Sequence, residues 1–209
     1  NEVSAGITHQ TPVSLPFVSD FRNPEDRTNW NFRDSAWKYQ TNMDFLIDSS
    51  WINTICADEE EPLVSRCMEF EEGTWYRISY EYVCGLSTGI GLVPESFEIR
   101  CGLAGTPVQE WDVLRSYKDY YTMDQARRDD ASFLCPLSGE YSVAIVPVTA
   151  YTTIVFRSVV VDEAPENDLR VVGFQFDAPV MLPVSHAGQD FHADYGIVNK
   201  GWADVPEAD

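Results

Sequence analysis

The sequence predicts an all-β protein, a jelly-roll β-sandwich with an additional β segment at its C-terminus. Three observations carry this. Thr74–Cys84 alternates strictly, with Tyr76, Ile78, Tyr80, Tyr82 and Cys84 facing one way and Arg77, Ser79 and Glu81 the other. That period of two marks a half-buried strand of an antiparallel sheet. The same alternation returns at Phe97, Ile99 and Cys101 against Glu98 and Arg100, and at Tyr141, Val143 and Ile145 against Glu140 and Ser142. Finally, the 209-residue chain is 44% apolar and 13% aromatic, enough for a packed core.

In chain order, residues 1–14 read as a polar lead-in ending at Thr11-Pro12, and Leu15–Phe21 as the first strand, with Pro16 tolerated at its start. Asn23–Trp37 carries turn chemistry around Trp30 and Trp37. Asp58-Glu59-Glu60-Glu61-Pro62 is a solvated acidic loop leading into Leu63–Phe70. Glu71-Glu72-Gly73 reads as a hairpin turn into the Thr74–Cys84 strand. Leu86–Leu92 reads as a mobile loop, Val108–Leu114 as a loop region, and Asp119–Ala131 as a helical turn through Met123–Arg128. Ser138-Gly139 turns the chain into Glu140–Thr149, and Tyr151–Asp162 is a continuous apolar strand of the kind covered on both faces. The polar stretch Glu163–Asp168 marks a boundary, so the organisation is lead-in 1–14, sandwich 15–163 and a further segment 164–209. That segment holds two strands, Leu169–Phe176 and Gln189–Val198, joined by Pro179–Gly188.

The formal charge is −20, with 14 basic against 34 acidic residues. Nucleic acid and anionic lipid are therefore poor partners. No run of about 18 apolar residues suggests membrane insertion. The five cysteines, Cys56, Cys67, Cys84, Cys101 and Cys135, have no metal-binding spacing, and mostly free, buried thiols are expected. His9, His186 and His192 stand in no catalytic or metal motif. Glu95, Glu98, Glu110 and Asp112 form no pair that sequence alone can define.

The aromatic residues point to binding. Trp75 falls on the polar phase of its strand, so it lies on an outer face or under a covering loop. Trp111 and the following Tyr117, Tyr120 and Tyr121 form an aromatic-rich stretch suited to carbohydrate or protein recognition, or to capping the end of the sandwich.

Several segments resemble, in order, the secreted jelly-roll modules of Bacteroidetes known as choice-of-anchor J or cleaved-adhesin domains, which are related in shape to MAM domains. They are Leu15–Phe21, Trp30 and Trp37, Pro62–Ser65 with Gly73–Tyr80, Glu98–Gly102 and Gly139–Ile145, across about Leu15 to Val161. The resemblance implies a non-enzymatic adhesion or ligand-binding module of a secreted or surface protein, with a glycan or extracellular protein as partner and other domains in the same chain. A glycan-active enzyme on a jelly-roll core and a structural spacer are the alternatives. It also implies a structural calcium near Asp20. The acidic stretch between the tryptophans is reduced here to Asp34, and Arg157-Ser158 stands where the family has an acidic pair. No cofactor is therefore expected, with a weak calcium at Asp20 as the exception. The tail resembles the opening of an Ig-like module, through Phe191–Gly201.

Overall fold

The computed structural model describes residues 11–21, 23–31, 37–40, 51–55, 62–84, 87–88, 91–92, 94–122, 126–148, 153–165, 169–176 and 193–199. The chain forms two compact units, Asn1–Glu163 and Ala164–Asp209. The strands of the first unit are β1 (Phe17–Asp20), β2 (Trp37–Gln40), β3 (Trp51–Ile55), β4 (Leu63–Val64), β5 (Met68–Phe70), β6 (Trp75–Cys84), β7 (Ser87–Thr88), β8 (Gly91–Leu92), β9 (Glu95–Leu103), β10 (Asp112–Tyr120), β11 (Arg127–Leu134), β12 (Gly139–Pro147) and β13 (Thr153–Glu163). Short 3-10 turns occupy Pro24–Asn29 and Val108–Glu110.

Two antiparallel sheets build the sandwich. The first runs β11-β6-β13-β3-β2, and β1 lies end to end with β3 along β13. The second runs β10-β9-β12, with β4 and β5 end to end along β12. From β10 onward the chain alternates between sheets, as a jelly roll requires.

The alternation of β6 sets the core. Tyr76, Ile78, Tyr80 and Tyr82 are each at most 3% exposed. Ile78 lies opposite both Ala131 of β11 and Val161 of β13. From the other sheet, Phe97, Ile99, Cys101, Tyr141, Val143 and Ile145 meet them. Aromatic contacts bridge the layers, with Phe70 stacked on Tyr76 at 3.8 Å and on Tyr141 at 5.2 Å. Trp30 and Trp37 are core residues, and the indole N–H of Trp30 donates to Ser19 Oγ at 2.7 Å. Cys84, Cys101 and Cys135 are buried thiols, Cys67 is a half-buried thiol, and Cys56 lies outside the described residues.

Four local expectations are corrected. Glu71-Glu72-Gly73 does turn the chain, with Gly73 at φ 78°, a backbone conformation that favours glycine. It is not a hairpin, however, because β5 joins the second sheet and β6 the first. In Leu86–Leu92, β7 pairs with β8, so two small strands stand where a loop was expected. In Val108–Leu114, a 3-10 turn leads straight into β10. In Asp119–Ala131, residues through Tyr120 belong to β10 and those from Arg127 to β11, leaving Met123–Gln125 outside the described residues. The thin apolar face of that stretch is physically an exposed strand edge.

In the second unit, β14 (Leu169–Phe176) pairs antiparallel with β15 (Ala193–Asn199), with a register shift between Val172 and Phe174. Expectations for Phe191, His192 and the Pro179–Gly188 connection lie outside the described residues.

Candidate functional site

Strands β10 and β11 are the free edges of the two sheets, and they flank the same side of the sandwich. Strand β10 is shaped by two register shifts against β9, between Val113 and Arg115 and between Tyr117 and Tyr120. Such bulges bend and twist a strand and re-aim its side chains. Asp119 sits inside the second shift at φ 49°, and its amide N–H donates to Ser96 Oγ at 3.1 Å.

Tyr117 anchors this edge. It is buried, and its ring stacks on Phe97 at 4.3 Å and leans on Tyr82 at 5.3 Å. Its hydroxyl donates to Asp129 Oδ2 at 2.6 Å and bonds the Tyr80 hydroxyl at 2.6 Å. Because Tyr117 donates to Asp129, Tyr80 must donate to Tyr117. Asp129 faces the gap between the sheets, since it shares the inward phase of Ala131 and Phe133. The Arg115 guanidinium reaches the same carboxylate at 3.3 Å and lies 5.9 Å from the Tyr117 ring centre. Burial, then donation to Asp129, pushes the Tyr117 phenol well above its ordinary range. Burial raises Tyr80 and Tyr82 as well, so the network is built from neutral phenols. The Asp129 charge in turn raises Arg115.

This network braces the exposed Tyr120. Tyr120, 36% exposed, tilts against Tyr117 at 5.4 Å, and Tyr121 follows at 44% exposed. Thr122 is buried, and its Oγ1 bonds both the amide and the carbonyl of Cys84, pinning the chain just beyond the two rings. Cys84 Sγ lies 3.7 Å from the Tyr120 carbonyl, and burial pushes this thiol up to about 12.

The other predicted aromatics lie elsewhere. Trp111 is 7% exposed and sits against Gly102 on the outer face of the second sheet, packed with Ala144 and Val146. Its indole N–H donates to Thr106 Oγ1 at 2.8 Å. Trp111 and Tyr117 are thus buried supports and present no open ring to a ligand. Trp75 is half-buried on the outer phase of β6, opposite Leu134. It stands seven residues from Tyr82 along the strand, about 23 Å at the usual rise. Of the five predicted aromatics, Tyr120 and Tyr121 are therefore the exposed ones, and Arg115 and Asp129 meet Tyr117, on which Tyr120 rests. Sequence reasoning missed Arg115 and Asp129, and the one available signal was their setting in a charged stretch around the tyrosines.

Two carboxylates elsewhere, Glu98 and Glu81, are engaged with cations. Glu98 bonds Arg100 at 2.6 Å, and Glu81, only 8% exposed, lies between Arg128 at 3.4 Å and Arg157 at 3.3 Å. Asp20 ends β1 opposite Ser158, and its amide N–H donates to Asp26 Oδ2 at 2.9 Å. A calcium takes about six to eight oxygens. Among the described residues Asp20 and Asp26 bring two carboxylates together here, too few for that shell, and the neighbouring Arg157 offers its carbonyl to the Phe21 amide while its guanidinium reaches Glu81. Among the described residues, no group of three or more His, Cys, Asp or Glu gathers, and no helix is long and apolar enough to cross a membrane.

No family model matches the sequence, and no curated protein does. In structure, the chain is similar to a xylan-binding domain from CBM 22, with TM-score 0.53, 11% identity, and 70% of this chain and 93% of that one covered. It is similar also to the CBM22-1–GH10 modules of endo-1,4-β-D-xylanase 10B from Clostridium thermocellum, solved with xylohexaose (TM-score 0.50, 12% identity, 70% of this chain covered). The match spans 28% of that longer chain. The K1 cleaved adhesin domain of Lys-gingipain from Porphyromonas gingivalis is a further neighbour, at TM-score 0.49 and 11% identity, covering 69% of this chain and 96% of that one. At these identities the likeness is one of fold, and the fold is the jelly-roll β-sandwich.

Proposed function

We propose that this chain is a non-catalytic binding module that holds a glycan against Tyr120 and Tyr121. One observation carries the reading: two neighbouring rings are exposed at the end of β10, and Tyr120 rests on a buried Tyr117 fixed by stacking and by two hydroxyl hydrogen bonds. Phenol rings offer sugars a large apolar face with little rotamer freedom to lose. A braced platform also spares the ordering cost that weakens binding by loose side chains. The neighbouring xylan-binding domain and the xylanase module solved with xylohexaose lend support by fold alone. An enzyme on this core is less well supported, since the described carboxylates Glu81, Glu98 and Asp129 are held in ion pairs.

The same reading makes the chain part of a secreted or surface-attached protein of the choice-of-anchor J or cleaved-adhesin kind. Residues 164–209 are then the opening of an Ig-like module. That view is supported by β14 and β15 pairing as a two-stranded sheet, which is marginal as a free-standing unit.

A glycan array read with the wild-type chain, Tyr120→Ala and Tyr121→Ala tests the proposal. Binding should fall by about tenfold or more in either variant, with the far-ultraviolet circular dichroism unchanged, as expected when a stacked ring is lost. Full binding by both folded variants would refute it.

A further inference from the structure

The cations of this acidic chain are not spread evenly. Arg115, Lys118, Arg127 and Arg128 all lie on the two edge strands β10 and β11, out of 14 lysines and arginines in a chain of net charge −20. Against them, residues 115–130 contain four aspartates, Asp119, Asp124, Asp129 and Asp130, so this stretch is neutral and the excess acidity lies elsewhere. Two of the cations have assigned work. Arg115 pairs with Asp129, and Arg128 with Glu81. Lys118 and Arg127 are exposed and make no ion pair or hydrogen bond with a described residue.

Both cations adjoin the residues that support Tyr120. Lys118 follows Tyr117 and precedes Tyr120 inside the second register shift of β10. Arg127 opens β11 opposite Tyr82, whose ring is 5.3 Å from Tyr117, which is itself 5.4 Å from Tyr120. Arg127 also shares the inward phase of Asp129, so it lies next along the gap between the sheets toward the tyrosine end. Asp119, which is exposed, follows Lys118 in sequence. The Asp129 carboxylate already accepts from Tyr117, from Arg115 and from the Asp130 amide.

Resting on the glycan reading above, we infer that the Tyr120–Tyr121 platform takes a glycan with isolated carboxylated sugars, the neutral ring stacking on tyrosine and the carboxylate meeting Lys118 and Arg127. Guanidinium and carboxylate match as a planar two-point pair, and the lysine adds a compact positive charge. The surrounding acidity narrows the class further. Screening confines attraction to about 8 Å at physiological ionic strength, so a lone uronate feels the local cations. A densely charged polymer must also pass the acidic remainder of the surface, which repels it.

The test uses the full chain and matched oligosaccharides: a xylo-oligosaccharide with and without a single glucuronic acid branch, and a galactan oligosaccharide with and without a single galacturonate. Polygalacturonate serves as the dense polyanion. The acidic member of a pair should bind roughly tenfold more tightly at low salt, with the preference fading at high salt. Lys118→Gln with Arg127→Gln should bring the ratio to about one and leave neutral binding within about twofold. Polygalacturonate should bind more weakly than the singly branched oligosaccharide. Equal binding of both members by the wild type would overturn the inference and leave the glycan reading standing. So would a preference that survives the double substitution, or tighter binding of polygalacturonate. No binding to any of these glycans, or capture of an acidic peptide instead, would overturn both.

Discussion

Substituting Gly102 with alanine offers a direct test of how the second sheet is closed. A Cβ at this position would fall 2.3 Å from Trp111 Cγ, 2.4 Å from Cδ1 and 2.8 Å from Cβ. Carbon atoms rest at about 3.5–4.0 Å, so the indole must move. It has little freedom to do so, being tied to Thr106 Oγ1 and packed on Ala144 and Val146. Overpacking of this kind costs about 1–3 kcal/mol, and loss of the indole hydrogen bond adds about 1 kcal/mol. Gly102→Ala should therefore destabilise by about 2–4 kcal/mol. Trp111→Ala alone should cost about 3–5 kcal/mol. In that background Cγ and Cδ1 are gone, while the Cβ of residue 111 still lies 2.8 Å from the added methyl, so the Gly102→Ala penalty should shrink to about 1 kcal/mol. Urea unfolding of the four proteins, followed by far-ultraviolet circular dichroism, gives the coupling energy. A Gly102→Ala penalty of the same size with and without Trp111 would refute the contact.

Other outcomes follow from the same geometry. Ile78→Ala should cost about 2–5 kcal/mol in the same assay, since Ile78 is fully buried between Ala131 and Val161; a loss below about 1 kcal/mol would contradict its place in the core. Tyr117→Phe removes the donor to Asp129 and the acceptor for Tyr80, and should destabilise by about 1–3 kcal/mol while loosening Tyr120, seen as weaker glycan binding. Stability should fall in alkali. Cys84 is raised from 9.0 to about 12 and Tyr80, Tyr82 and Tyr117 are raised from 10.0, so above those ordinary values the unfolded chain ionises first and binds fewer protons. Each such group should remove about 1.4 kcal/mol per pH unit, and a urea midpoint flat from pH 9 to 11 would contradict their burial. A chain ending at Glu163 should unfold cooperatively with an unchanged midpoint, whereas failure to fold would move the domain boundary.

The sequence revealed the parts of the fold that obey a single period. The registers of β6, β9 and β12 could be read because Tyr76 to Tyr82, Phe97 to Cys101 and Tyr141 to Ile145 alternate without interruption. Strand β10 broke that rule. Its two register shifts scramble the alternation, so Arg115 and Tyr117 could not be assigned faces. Trp111 looked available for binding because its cover is Gly102, a residue that shows its meaning only when the two meet in space. The site tyrosines were visible as an aromatic cluster. Their division into buried support and exposed platform depends on the partner strand, with Asp129 drawing Tyr117 inward while Tyr120 stays at the surface.

The order in which the chain leaves the ribosome gives β13 a particular weight. It is the last strand of the sandwich to be made, yet β1, β3 and β6 all pair with it. Until Thr153–Glu163 emerges, β6 has β11 as its one neighbour among the described strands, and β1 has no partner among them. The first sheet therefore closes only after synthesis of the unit is complete, through contacts that join its two ends. Such distant pairings are slow to form, so the first sheet waits for its last strand before its two ends can be joined.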